Sequence, residues 1–205
     1  MKVIVLEEHG YDVALFGLGL SYGVTSDMTF AAFESVDLDT GKNTPEYDRM
    51  VKRANFNYNK EGGHNKFLES MAVWLDVDAP RYFWQQMDTY RAPQGPEDGL
   101  SEPSGITKQS ESTMHTLLKR KLTTKDFEGG LDVWHLRQLN DMVVDRDFDG
   151  LVRYKPESFL QRRQIKTNYK VLRNIYGQRQ KHMRPEWHLF CSQLIVQLQH
   201  PEFLQ

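Results

Sequence analysis

His64-Asn65-Lys66-Phe67-Leu68-Glu69-Ser70-Met71-Ala72-Val73-Trp74-Leu75-Asp76-Val77-Asp78-Ala79-Pro80-Arg81-Tyr82-Phe83-Trp84-Gln85-Gln86-Met87-Asp88-Thr89-Tyr90-Arg91 is the stretch on which the fold turns. Met71, Val73, Leu75 and Val77 fall on one face, while Ala72, Trp74 and Asp76 fall on the other. Alternation of this kind reads as a half-buried strand. Asp78-Ala79-Pro80 then supplies an N-cap and an early-turn proline for a helix. That helix spaces Phe83, Met87 and Tyr90 for burial and leaves Gln85 and Asp88 on its surface.

Outward from this unit, Lys2 to Leu6 reads as an opening strand rich in β-branched residues. Asp39 to Tyr58 is polar and turn-rich. Ala92 to Ile106 holds three prolines and three glycines, the composition of a flexible loop. A helix is expected over Ser110 to Lys121, and Asp132 caps another whose apolar face includes Val133, Leu136 and Val143. Arg163 to Thr167 fits a strand. Asn168 then caps a helix with Leu172, Ile175 and Tyr176 inward and Lys170, Asn174 and Gln178 outward. Pro185 opens a last helix that buries Trp187, Cys191, Leu194 and Leu198. The pattern is mixed α/β in a single domain over residues 1–205.

Composition narrows the class of protein. Hydrophobic residues at 39% and aromatics at 12% suffice for a packed core, which excludes wholesale disorder. The single cysteine, Cys191, excludes an internal disulfide framework and suits a reducing compartment. The opening Met1-Lys2-Val3-Ile4-Val5-Leu6-Glu7-Glu8-His9 turns acidic too early for a signal peptide. The apolar run from Val13 to Leu20 carries Gly17 and Gly19 and falls short of a membrane span. A cytoplasmic protein is therefore expected. The net charge of −2 hides an asymmetry, because residues 151–184 hold ten Lys/Arg and a single acid, Glu157. Such a run is either a solvated face or a footprint for phosphate or another polyanion.

Several motifs weaken on inspection. Asp145-Arg146-Asp147-Phe148-Asp149-Gly150 opens like a calcium loop, but Pro156 stands where the bidentate carboxylate belongs. An acidic turn after a helix explains the same residues. Gly17-Leu18-Gly19 with Gly23 is out of register for a dinucleotide fingerprint. The histidines are scattered and no zinc-ligand spacing occurs, so no metal site is expected. Cys191 lies on the apolar face of its helix, a core position rather than a nucleophile.

The quoted stretch resembles the flavin-dependent thymidylate synthase (ThyX) family: a His-x-x-x-x-Glu turn from His64 to Glu69, a strand, Ala79-Pro80, then a helix reaching Gln86 and Arg91. Asn168, Asn174 and Arg179 repeat the family's Asn-x-x-x-x-x-Asn-x-x-x-x-Arg helix, and Gln109-Ser110-Glu111-Ser112 resembles the serine end of its signature. Departures accompany the match. The family's Arg-His-Arg reads Thr89-Tyr90-Arg91, its Arg-Tyr reads Met114-His115, and a further arginine falls on Val152 with Arg153 beside it. Lost bidentate contacts are substantive changes. Lys119, Arg120 and Arg153 are candidate substitutes.

The resemblance implies an α+β fold with a mainly antiparallel sheet flanked by helices, assembled as a homotetramer. It implies transfer of a one-carbon unit from methylene-tetrahydrofolate to C5 of dUMP or a related pyrimidine deoxynucleotide, with FAD recharged from NADPH. Arg179 would be catalytic. Gln86, Ser112 and Arg179 would meet the nucleotide, and His64, Glu69, Arg91, Asn168, Lys170 and Asn174 would meet the flavin. Each residue also has an ordinary reading: Gln86 as helix surface, Asn168 as a cap, Arg179 as a cation favoured at a helix C-terminus. Two alternatives follow. One is a relic of the fold that binds without chemistry; the other is nucleic-acid binding through residues 151–184, with Tyr154, Tyr169 and Tyr176 as stacking faces.

Overall fold

The computed structural model describes residues 1–60, 63–91 and 105–205, with Arg91 described through its backbone alone. The loop expected over 92–106 thus lies outside the described residues as far as position 104, and Ile106 beyond it is buried. In chain order the elements are β1 (Lys2–His9), α1 (Tyr11–Ser21), α2 (Phe30–Phe33), α3 (Pro45–Asn57), α4 (Phe67–Ser70), β2 (Ala72–Pro80) and α5 (Arg81–Met87). A 3₁₀ turn, Asp88–Arg91, follows α5. Then come β3 (Thr107–Ser110), α6 (Thr113–Thr116), α7 (Val133–Val144), α8 (Phe148–Tyr154), β4 (Leu160–Asn168), α9 (Tyr169–Arg179) and α10 (Pro185–Ile195).

The strands form one antiparallel sheet in the order β1-β2-β4-β3. The alternation in β2 sets its two faces. Val73, Leu75, Val77 and Ala79 are fully buried beneath the helices, joined from β4 by Ile165 and Thr167. Trp74, Asp76 and Asp78 point to the other face, where Arg162 Nε donates to Asp76 Oδ1 at 2.8 Å. β2 runs on to Pro80, paired with Leu160, so Asp78 is a strand residue and α5 starts at Arg81 with no side-chain cap. The expected cap fails because Asp78 faces away from the helix layer. In its place Trp84 Nε1 donates to the carbonyls of Ala79 (3.1 Å) and Gln161 (2.9 Å), which ties α5 to the ends of both central strands.

β1 and β4 extend beyond the expected Lys2–Leu6 and Arg163–Thr167. The outer edge of β1 is covered by side chains that follow α10's register. Gln193 Oε1 accepts from Val3 N at 2.8 Å, and Gln197 accepts from Val5 N at 3.1 Å while donating to Val3 O at 3.0 Å. Edge strands need such covering to avoid pairing with another chain. The region 39–58 is no mere connection, since it contains α3. Thr44 caps that helix through Tyr47 N at 3.2 Å, Pro45 occupies its first turn, and Met50, Ala54 and Asn57 are its buried residues. A narrow apolar stripe on a polar helix is what hid it.

The helix expected from Ser110 to Lys121 is replaced by β3 and the single turn α6, because Thr107–Ser110 completes the sheet against β4. A small second core then gathers Leu117, Leu122, Phe127, Leu139, Val143 and Leu151. Asp132 caps α7 by accepting from His135 N at 2.8 Å, but Val133 is exposed, since its position on α7 faces away from that core. Gly17 and Gly19 lie inside α1, and a Cβ on Gly19 would come within 2.5 Å of Thr25 Cγ2. Close helix packing therefore accounts for Gly19. In the acidic turn, Asp147 Oδ1 accepts from Gly150 N at 2.8 Å and caps α8. No helix of the described residues is long and apolar enough to cross a membrane.

Leu75 is fully enclosed at the centre of the sheet, so Leu75→Ala should lower stability by ~2–5 kcal/mol in urea unfolding. A loss below ~1 kcal/mol would mean that the β2 face is not the packed centre described.

Candidate functional site

Helix α9 carries most of the residues singled out in the sequence. Asn168 caps it, Oδ1 accepting from Val171 N at 3.0 Å. Its apolar stripe, Leu172 and Ile175, faces the core, so the positions between must face outward. Lys170 pairs with Glu69 of α4, and Asn174 Oδ1 accepts from Gln178 Nε2 at 2.8 Å. Arg179 ends the helix, where a cation is favoured by the macrodipole.

Arg179 is held by far more than that terminus. Its Nε donates to Tyr90 Oη at 2.7 Å, and Tyr90 Oη donates onward to Gln178 Oε1 at 3.0 Å. The guanidinium carbon lies 4.8 Å from the centre of the Trp187 ring and 5.5 Å from that of Tyr90. Trp187 Nε1 donates to Gln86 Oε1 at 2.6 Å. Phe83 packs against the same indole, 4.4 Å between ring centres, and fixes it from below. Gln86, Tyr90, Asn174, Gln178, Arg179 and Trp187 thus form one continuous polar and aromatic cluster, drawn from α5, the 3₁₀ turn, α9 and α10.

Among the described residues, the terminal nitrogens of Arg179 and the amide nitrogen of Gln86 have no hydrogen-bond partner. What the cluster offers outward is therefore donors beside aromatic faces. That donor set suits a flat group bearing carbonyl oxygens.

The remaining candidates sit apart from this cluster. His64 is exposed in the turn before α4. Glu69 and Lys170 meet each other near the N-terminus of α9, where an ammonium beside a helix N-terminus suits a phosphate or another anion. Asn168 stands at the same end of α9, and these three fit a flavin nucleotide in chemical character, whereas Asn174 is joined through Gln178 to the Arg179 cluster. Arg91 closes the 3₁₀ turn, and its side chain lies outside the described residues. Ser112 is exposed at the start of α6, its Oγ 3.0 Å from His115 Nδ1, and no contact among the described residues joins it to Gln86 or Arg179.

The sites of the family's missing arginines have changed character. Met114 is exposed, and Val152 packs against the small second core. Arg120 is gripped by Asp126, with Nη1 to Oδ2 at 2.8 Å. Lys119 stands on the wall of a 910 Å³ cavity between the polar face of the sheet and the small core, and Asp78, Gln109 and Lys125 share that wall. Burial holds the Asp78 carboxyl above the usual carboxylate range.

The basic run from residue 151 to 184 is largely engaged within the chain. Arg162 pairs with Asp76 and Lys170 with Glu69. Arg163 lies over Trp84 (4.6 Å), Lys166 over Trp74 (5.9 Å), Arg173 over Tyr58 (4.9 Å) and Arg184 over Tyr82 (5.0 Å). Of the expected stacking faces, Tyr169 is buried and bonded to Glu8, which removes it from any surface. Tyr90, Gln178 and Trp187 were not foreseen as site residues. Aromatics at helical spacing look like core, and nothing in the spacing joins Trp187 to Arg179.

The chain has the fold of ThyX flavin-dependent thymidylate synthases. A ThyX from Helicobacter pylori, described in complex with FAD and dUMP, matches with a TM-score of 0.72 over 100% of this chain and 98% of its own, at 15% identity. A second Helicobacter pylori ThyX structure with FAD and dUMP matches at 0.69, with 17% identity and coverage of 100% and 97%. A UMP/dUMP methylase, PolB, from Streptomyces cacaoi bound with 5-Br dUMP matches at 0.56, with 11% identity and coverage of 95% and 88%. No protein-family model and no curated protein matches the chain.

Burial pushes the Cys191 thiol up to about 11. It should resist iodoacetamide at pH 8 in the folded protein and react promptly in denaturant. Fast alkylation of the native state, followed by mass spectrometry, would return Cys191 to the list of nucleophiles.

Proposed function

We propose that this chain is a flavin-dependent enzyme that transfers a one-carbon unit from methylene-tetrahydrofolate to C5 of a pyrimidine deoxynucleotide, dUMP or a close relative. The observation that carries the reading is the donor cluster in which Arg179 is clamped between Tyr90 and Trp187 beside Gln86. It stands in a fold whose similar structures were described with FAD and dUMP.

The chemistry asked of the protein is to make C5 electron-rich and to stabilise charge on the ring carbonyls. Preorganised donors do this without reorganising as charge grows. Tyr90 Oη and the two rings fix the Arg179 fork, so its terminal N–H groups are already aimed when the pyrimidine arrives. Gln86 adds an amide donor on the same side of the indole. Cysteine takes no part, in agreement with the buried and weakly acidic Cys191. FAD, recharged from NADPH, would supply the reducing equivalents that complete the methyl group. Glu69, Asn168, Lys170 and Asn174, with His64 and Arg91, would hold it.

Lys170 and Arg179 stand at opposite ends of α9, roughly 14 Å apart at ~1.5 Å rise per residue. Flavin-side and nucleotide-side groups of one chain then serve different pockets, and a complete site draws on neighbouring copies. A homotetramer of closed symmetry meets this need. Light scattering should report a multiple of 24.0 kDa, and a monomer at working concentration would refute the shared site.

A second reading, a relic that binds nucleotide without chemistry, is favoured by Val152 packing where a guanidinium would belong. One experiment separates the two. The protein is incubated with FAD, NADPH, methylene-tetrahydrofolate and dUMP, and the product is examined for a C5 modification. Arg179→Ala should cut turnover by ~100-fold or more, and Arg179→Lys should also be impaired because it loses the planar fork. Bound flavin with no turnover on any pyrimidine nucleotide would favour the relic. No FAD binding in titration calorimetry at tens of micromolar would remove both the cofactor and the enzyme.

A further inference from the structure

We infer that Trp187 is the specificity-determining residue of this site, because it fixes the orientation of the Gln86 amide and thereby restricts the pocket to pyrimidines with an oxygen at C4. The inference rests on the pyrimidine reading above and goes beyond it by naming what selects the base.

A glutamine amide is ordinarily ambiguous, since rotation about its last bond exchanges a donor for an acceptor. Here chemistry removes the ambiguity. The indole Nε1 can only donate, and it lies 2.6 Å from the Gln86 side chain, so the group facing it must be the carbonyl oxygen. The Gln86 Nε2 is then turned outward as a donor. The indole itself cannot swing away, because Trp187 is 1% exposed and packed against Phe83, Tyr90 and Phe190. Arg179, stacked on the same ring, contributes further donors and no acceptor. The wall presented to a ligand is donor-only by construction.

Of the two carbonyls of a uracil ring, the C4 oxygen is the one conjugated through C5. Charge that develops at C5 spreads to that oxygen, so donors that serve C5 chemistry face it. A cytosine places an amino group there. Its N–H hydrogens would meet the N–H hydrogens of Gln86 and Arg179, leaving donors unpaired on both sides. If the amide were free to turn, Gln86 could accept from that amino group and the pocket would take both bases. Trp187 prevents the turn.

The test is titration calorimetry of the full-length protein with dUMP and with dCMP, FAD present in excess, on wild type, Trp187→Phe and Gln86→Glu. Wild type should favour dUMP by ~10-fold or more. Gln86→Glu replaces the outward donor by an acceptor and should reverse the preference toward dCMP. Trp187→Phe keeps a ring beneath Arg179 but releases the amide, and the ratio should fall to near one. If Trp187→Phe fails to fold, the part-exposed Gln86→Glu decides alone. A wild type that binds both nucleotides equally overturns the inference, and so do variants that keep the wild-type ratio; the pyrimidine site would then stand without it. A wild type that binds neither nucleotide defeats the pyrimidine reading itself.

Discussion

The register of β2 is the constraint from which the rest of the molecule follows. It pairs on both sides, with β1 and with β4, and presents an apolar face and a polar face to different surroundings. A slip of one residue would drive Trp74, Asp76 and Asp78 under the helices and lift Val73, Leu75 and Val77 out of the core. Because the strand passes into α5 with no intervening loop, the same register fixes where Gln86 and Tyr90 stand. Trp84 completes the coupling. One indole N–H is shared between carbonyls of β2 and β4, so the helix cannot rotate without abandoning both strands. The geometry of the candidate site is thus inherited from the sheet.

The cations of residues 151–184 illustrate how composition misleads. A run of ten positive charges against one acid looks like a footprint for a polyanion. In the folded chain these residues lie on the last strand and helices, beside the aromatics that the first half of the chain contributes. Arg163, Lys166, Arg173 and Arg184 cover the rings of Trp84, Trp74, Tyr58 and Tyr82, while Arg162 and Lys170 neutralise Asp76 and Glu69. A cation over a ring face contributes ~0.5–2 kcal/mol depending on how far it is desolvated. Charge imbalance along the chain is therefore resolved by contacts across it. Arg179 belongs to the same series, and among the described residues its terminal nitrogens have no hydrogen-bond partner.

Strong local periodicity was legible in the sequence, and long-range pairing was not. The two faces of β2, the buried trio Phe83, Met87 and Tyr90, the Asn168 cap and the apolar stripe of α9 follow from spacing alone. Thr107–Ser110 carries no strand signal of its own, because its strand character comes from its partner β4, and Ser110 therefore ends a strand where the sequence suggests the start of a helix. Asp78 was taken for a cap because a carboxylate before Ala-Pro is a good capping residue, and only the sheet shows which way it points. At the candidate site, family order singles out Gln86 and Arg179, and the structure brings them to one cluster. The residues that hold them, Tyr90 and Trp187, resemble core aromatics in sequence, since a hydrogen bond between residues 86 and 187 has no local signature.

The departures from the family pattern fall on both structural units. Gln86 on α5 and Asn174 and Arg179 on α9 are anchored in the main core, and so is the 3₁₀ turn where Thr89 and Tyr90 stand in place of the family's arginine and histidine. Of the residues that stand where the family has arginines, Met114 is exposed on α6 and Val152 packs against the small second core, where its apolar side chain contributes to packing that a guanidinium would disrupt. By resemblance Met114 stands where a contact to the nucleotide phosphate would be, and Gln86 and Arg179 where contacts to its base would be. Phosphate contacts act through charge at some distance and can be supplied from a different position, such as Lys119 on the neighbouring cavity wall. Base contacts depend on direction at hydrogen-bond range and cannot be moved without losing selectivity.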